Sequence, residues 1–120
     1  MSTSPSTSPL SRIPLRVDGR IRMFDAKEIL WIGADGHGAI VHLRDGNTVS
    51  IRPGIGALGR ELPQEIFMAI NRSEIVNLGE VTGTEHKTNG DHRLTLTDGR
   101  RLVLSRTRRA VVLARLMAGR

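Results

Sequence analysis

ILWIGADGHGAIVHLRDGNTVSIR, residues 29–52, settles the class of fold. Three short runs, Ile29 to Ile32, Ala39 to Leu43 and Thr48 to Arg52, are separated by Asp35-Gly36 and Asp45-Gly46. An Asp-Gly pair supplies the positive φ that a tight hairpin turn requires, and the flanking runs alternate polar and apolar residues with period two. Two consecutive hairpins make three antiparallel strands. The same punctuation recurs at Asp18-Gly19, Asn89-Gly90 and Asp98-Gly99. It predicts further strands at Ile13 to Val17, Ile21 to Phe24, Val81 to His86, Arg93 to Thr97 and Leu102 to Leu104. The fold is therefore expected to be mainly β and antiparallel.

Two segments change period. Ile55, Leu58 and Leu62 recur three and four residues apart and stop at Pro63, which predicts a short central helix between Pro53 and Leu62. From Thr107 onward Val112, Leu113, Leu116 and Met117 repeat that spacing, with Ser105 placed as an N-cap, so a C-terminal amphipathic helix is expected. Nine of the first eleven residues are Ser, Thr or Pro. A segment of that composition has no apolar surface to bury, so 1–11 reads as a disordered tail and 12–120 as one domain.

The 120 residues include no cysteine, which excludes thiolate metal sites, disulfides and sulfur redox chemistry. The longest apolar runs, such as Ala110 to Ala114, are five residues, against the roughly 18 that span a bilayer. Nothing at the start resembles a secretory signal, and the cytoplasm is the expected location. Charge is unevenly spread. Residues 93–120 carry eight arginines against Asp98 alone, a balance of +7, whereas the first 92 residues sum to −1. Sixteen of the 18 cationic residues are Arg, the side chain that forks onto phosphates and guanine edges, so the pattern points to a polyanion. A solvated helix face is the plainer reading of the same charges.

The recognisable chemical motifs fail on context. Gly54, Gly56 and Gly59 spell the dinucleotide-binding fingerprint, but the strand before them belongs to a tight antiparallel hairpin instead of a parallel βαβ unit. His37, His42, His86 and His92 lack metal-ligand spacing, although His86 and His92 flank a turn and can face each other across a hairpin. Ser73 and Ser105 have no triad neighbours, and Glu61 with Glu65 reads as solvated charge. No catalysis, metal or cofactor is expected.

The informative segment runs Phe67-Met68-Ala69-Ile70-Asn71-Arg72-Ser73-Glu74-Ile75-Val76-Asn77. It resembles the signature of the LytTR-type (LytR/AlgR-like) DNA-binding domain: Phe, any, Arg, Ile or Val, His, Arg, Ser, any, an aliphatic, Val, Asn. Phe67, Ile70, Arg72, Ser73, Ile75, Val76 and Asn77 agree, while Ala69 and Asn71 stand where that family most often has Arg and His. Upstream, Glu28 to His37 resembles the family's early strand and loop, with Gly33 in place of Glu and His37 in place of Tyr. Ser105-Arg106 resembles the Ser-Arg after its last strand, and the resemblance spans about residues 12–113.

The resemblance implies an elongated antiparallel β-sheet or sandwich domain with a short central helix and a C-terminal helix. It implies a transcription regulator that reads successive major grooves of duplex DNA with loops, usually at direct repeats, so that two copies occupy one site. Arg72 would fork onto guanine, Asn71 would pair with adenine, and His37 and Arg106 would complete the readers. Arg100, Arg101, Arg108 and Arg109 would contact phosphates. Ser73 and Asn77 would be structural. With eleven residues before the domain the chain reads as free-standing, without a receiver domain, and an inhibitory, membrane-bound partner protein is the expected regulator. Other readings stay open: Arg72 as a surface partner of Glu74 or Glu80, Asn71 as a turn residue, His37 as a loop tip, and Arg106 lying over a neighbouring strand with Arg108 on DNA instead. An RNA-binding module, a protein-interaction module using the basic end, and a small enzyme are the alternative functions.

Overall fold

A computed structural model of the chain describes residues 12–118, so the expected 1–11 tail lies outside the described residues. Strands β1 (Arg12–Val17) and β2 (Arg20–Asp25) form a hairpin, and a 3-10 turn leads into β3 (Ile29–Asp35), β4 (Gly38–Leu43) and β5 (Thr48–Ile51). Helix α1 (Ile55–Glu61), β6 (Phe67–Asn71) and β7 (Glu74–Asn77) follow. A second 3-10 turn precedes β8 (Val81–His86), β9 (His92–Leu96), β10 (Arg101–Val103) and α2 (Arg106–Ala118). All five Asp-Gly and Asn-Gly pairs lie at hairpin turns with the glycine at positive φ. At Asp18-Gly19 both residues have positive φ, 53° and 78°, the two-residue turn whose twist suits a hairpin.

The strands form three antiparallel sheets, a β1-β2 ribbon, a five-stranded sheet ordered β5-β4-β3-β7-β6 and a three-stranded sheet ordered β10-β9-β8. The five-stranded sheet is the middle layer. Successive residues of β3 and β7 point to opposite faces: Ile32 pairs with Ile75 on one side and Trp31 with Val76 on the other. The first face packs Ile32, Val41, Phe67 and Ile75 against the β1-β2 ribbon and Leu58 of α1. The second packs Trp31, Met68, Ile70 and Val76 against Leu94, Leu96 and Leu102 of the small sheet and Val112 of α2. Each fully buried side chain of this kind stabilises the fold by about 1.5–3 kcal/mol relative to exposure.

Two strands, β6 and β7, are not marked by the alternation that predicts the others. Both belong to the middle layer, whose two faces are covered, so their apolar residues run together without the period-two pattern of a half-wet strand. Their connection, Arg72-Ser73, also carries no glycine. Asn77 and Glu80, the two buried polar residues among those described, are both paired. Asn77 donates through Nδ2 to the carbonyls of Ala26 (3.0 Å) and Ile29 (2.9 Å) and accepts from the Gly79 amide, bridging two irregular corners. Glu80, 6% exposed, takes the Arg44 guanidinium on one carboxylate oxygen and the Thr97 hydroxyl on the other.

Candidate nucleic-acid interface

The β6-β7 turn is built around Asn71. Its Oδ1 accepts from the Ser73 amide (2.8 Å), while its Nδ2 donates to Glu74 Oε1 (2.8 Å) and to the Val103 carbonyl (2.7 Å). Both amide hydrogens are thus used inside the domain. Asn71, expected to pair with adenine, closes the turn here and ties it to β10, because a short side chain at a turn can replace backbone partners that the sheet no longer supplies.

Two neighbouring loops are fastened to the same turn. The Ala34 amide donates to the Ser73 carbonyl (2.8 Å), which joins the β3-β4 turn to it. The Ser105 amide donates to Ile70 (2.9 Å) and Arg108 Nε to the Ala69 carbonyl (2.8 Å), which join the start of α2. Ser105 is the N-cap, its hydroxyl accepting from the Arg108 amide at 3.3 Å. Three loops distant in sequence therefore share one edge of the middle sheet and are held to one another by hydrogen bonds.

That edge presents Arg72, His37 and Arg106, all exposed. Neither acidic partner considered for Arg72 pairs with it: Glu74 bonds to Asn71, and Glu80 is buried against Arg44. His37 stands at the tip of the β3-β4 turn. Arg106, the first residue of α2, reaches over the β8-β9 turn, with its Nη2 4.0 Å from the position a Cβ on Gly90 would take. Arg108 is half-buried and anchored to β6, so between these two arginines it is Arg106 that is free to meet a ligand.

The remaining arginines are dispersed. Arg109 is half-buried and donates to the Gly90 carbonyl (3.2 Å). Arg100 and Arg101 lie at the β9-β10 turn, the opposite end of β9 from Gly90, and both are exposed. Arg100 stacks over the indole of Trp31, 5.2 Å from its centroid, and Trp31 also forms a parallel stack with His42 (3.9 Å, 3°). The sequence assigned His42 no part in this. The signal lay in strand register, which puts Trp31 and His42 directly opposite each other on β3 and β4. Burial holds the His42 pKa below its ordinary value, and Arg100 adds to this against the opposing pull of Asp98 and Glu74. Burial likewise lowers His92, with Arg109 and His86 contributing. No group of three or more His, Cys, Asp or Glu placed to hold a metal occurs among the described residues.

Residues 19–117 match the family model of the LytTr DNA-binding domain. The chain belongs to that family. The solved structure of a LytTr DNA-binding domain from Bacillus cereus superposes with a TM-score of 0.73 at 18% identity, covering 88% of this chain and 96% of that one, and it shares the fold. Two curated proteins named sensory transduction protein LytT, from Bacillus anthracis and Bacillus cereus, are each 26% identical over 102 residues. The alignment takes in 84% of this chain and 41% of each relative, so the chain spans about two-fifths of their length. No helix among the described residues is long and apolar enough to cross a membrane.

Proposed function

We propose that this LytTr domain is a transcription regulator that binds duplex DNA sequence-specifically, reading major grooves with the three fastened loops. The observation that carries this reading is the exposed Arg72, unpaired among the described residues, at the tip of a turn that Asn71 locks in place. A guanidinium on a rigid turn loses little entropy on binding, and its fork matches guanine O6 and N7, a contact with about 1–3 kcal/mol of discrimination. His37 and Arg106 are the flanking readers. Arg101, Arg100 and Arg109 supply phosphate contacts that fix register, while Asn71 and Arg108 act by holding the loops. The protein works in the cytoplasm without catalysis, two copies occupy direct repeats, and a membrane-bound inhibitory partner controls its release.

Selection of duplexes from a random pool at near-physiological salt tests this. An enriched motif repeated in one orientation, near one helical turn or a multiple apart, is the expected result. Retention without enrichment would leave a module that binds phosphates alone, and no retention would overturn DNA binding. For the partner, fractionation of cells is expected to find a membrane-held pool. A protein always soluble and always on DNA would refute it.

A further inference from the structure

The edge that carries the readers continues into a second cationic cluster, at the β8-β9 turn. His86 and His92 form the last cross-strand pair before that turn, and their rings stack at 4.7 Å and 19°. Arg109 donates to the Gly90 carbonyl from one side (3.2 Å), and Arg106 reaches over Gly90 with its Nη2 4.0 Å from where a Cβ on that glycine would stand. The Leu104 amide donates to the His92 carbonyl (2.9 Å), directly before the Ser105 amide bonds to Ile70, so two consecutive residues hold both this hairpin and the strand leading into the β6-β7 turn.

The charges around the histidine pair are unbalanced. From β8 come Glu85 and His86, from the turn Lys87 and Asp91, from β9 His92 and Arg93, and from α2 Arg106 and Arg109. Glu85 lies opposite Arg93 in strand register, and the Asp91 carboxylate is 3.9 Å from the same guanidinium, so both acids have a cation beside them. Helix α2 contains no acidic residue. What remains around Gly90, among the described residues, is two guanidinia, the Lys87 ammonium and two imidazoles without a counter-ion.

We propose that the β8-β9 turn is a clamp for one backbone phosphodiester of the duplex, held by Arg109 and the His86–His92 pair, beside the reader Arg106 and just outside the bases facing Arg72. The clamp rests on the DNA-reading function proposed above and adds to it a proton. In the free domain, burial, Arg109 and the stacked His86 hold the His92 imidazole below its ordinary pKa. A phosphate set among them supplies the missing negative charge, so that binding and protonation favour each other by linkage. Binding then takes up a proton and strengthens as the solution is acidified.

The test uses the full chain and a duplex bearing its selected site. Affinity is measured at about pH 6 and about pH 8, on either side of histidine's ordinary pKa, and at salt from about 50 to 200 mM. The wild-type protein is expected to bind several-fold tighter at the lower pH, with a salt slope steeper by about 0.9, which is an additional loss of about 3.5-fold over that salt range. His86→Gln, an exposed position, and His92→Gln are expected to flatten the pH response while leaving sequence preference intact. His92 is half-buried, so its ring titration in the wild-type protein, followed by NMR with and without duplex, is the second reading, and an upward shift on binding is expected. Duplex binding at the higher pH whose pH response survives both substitutions, or whose His92 titration is unmoved by DNA, overturns the clamp alone. A wild-type protein that binds no duplex at either pH overturns the proposed function and the clamp together.

Discussion

Asn71→Ala and Arg72→Ala, adjacent substitutions in one turn, are expected to separate cleanly. Alanine at 71 removes three hydrogen bonds, from Ser73 and to Glu74 and Val103. A hydrogen bond contributes about 0.5–1.5 kcal/mol net, and water can replace part of these because the turn lies at the surface, so the loss is about 2 kcal/mol. At about 4 °C per kcal/mol for a domain of this size, Tm falls by about 8 °C. Affinity for the selected duplex falls too, because the turn carrying Arg72 is no longer fixed to its neighbours. Arg72 is exposed and has no side-chain partner among the described residues. Its replacement is expected to change stability by less than about 0.5 kcal/mol. It should cost about 1–3 kcal/mol of binding, roughly 5- to 150-fold, and relax preference at one base position. Calorimetric melting and a duplex-binding titration of both variants check this. An Asn71→Ala protein that melts like wild type yet loses base preference would refute the reasoning, since Asn71 would then be reading DNA itself.

Gly38→Ala is expected to cost about 3 kcal/mol, because the added Cβ would crowd the Ile51 carbonyl oxygen and force β4 from β5; a urea unfolding midpoint measures it. Gly33→Ala places its Cβ 2.8 Å from Trp31 Cζ3, so it should shift the fluorescence of the lone tryptophan as the indole leaves its stack with His42. Arg44→Met strands the buried Glu80 carboxylate; with Arg44 half in solvent the cost is about 1–2 kcal/mol, and adding Glu80→Gln should recover part of it in the same urea assay. His42 and His92 both have lowered pKa values in the fold, so the unfolded chain takes up protons first as pH falls below about 6.5. Stability is therefore expected to decline between about pH 7 and about pH 5.5, and less so in a His42→Gln, His92→Gln double variant.

Where a local rule acts alone, the chain is readable. The Asp-Gly and Asn-Gly pairs marked every hairpin turn they occupy, since a positive φ is needed there, and Ser105 capped α2 as its spacing implied. The β6 and β7 strands were hidden because burial on both faces erases alternation. The site was legible in part by the same logic. Arg72, His37 and Arg106, the readers proposed from the resemblance, are exposed together on one edge. The hydrogen bonds of Asn71 and Arg108 were not legible, because their partners, Val103 and Ala69, lie 32 and 39 positions away in sequence and become neighbours only through the sheet order. The Trp31–His42–Arg100 stack was invisible for the same reason.

The arginine-rich end shows how composition misleads about a footprint. Arg108 donates to Ala69, Arg109 to Gly90 and Arg115 to Gln64, each to a backbone carbonyl at or near the end of a strand or in a turn or loop. Carbonyls at such places have lost their ladder partners, and a guanidinium, with five donors on a long stem, reaches one of them without surrendering its charge. Three of the arginines on α2 therefore fasten the helix across the layers, and Arg106 alone among the helix's arginines stays exposed beside the readers. The proposed loop reading would demand this arrangement. A recognition helix is rigid by its own hydrogen bonds, whereas a turn such as Arg72-Ser73 must borrow rigidity from its neighbours. On the proposed reading, the positive charge concentrated after residue 92 serves first to fix the loops that would carry specificity, and the remainder is left for phosphate.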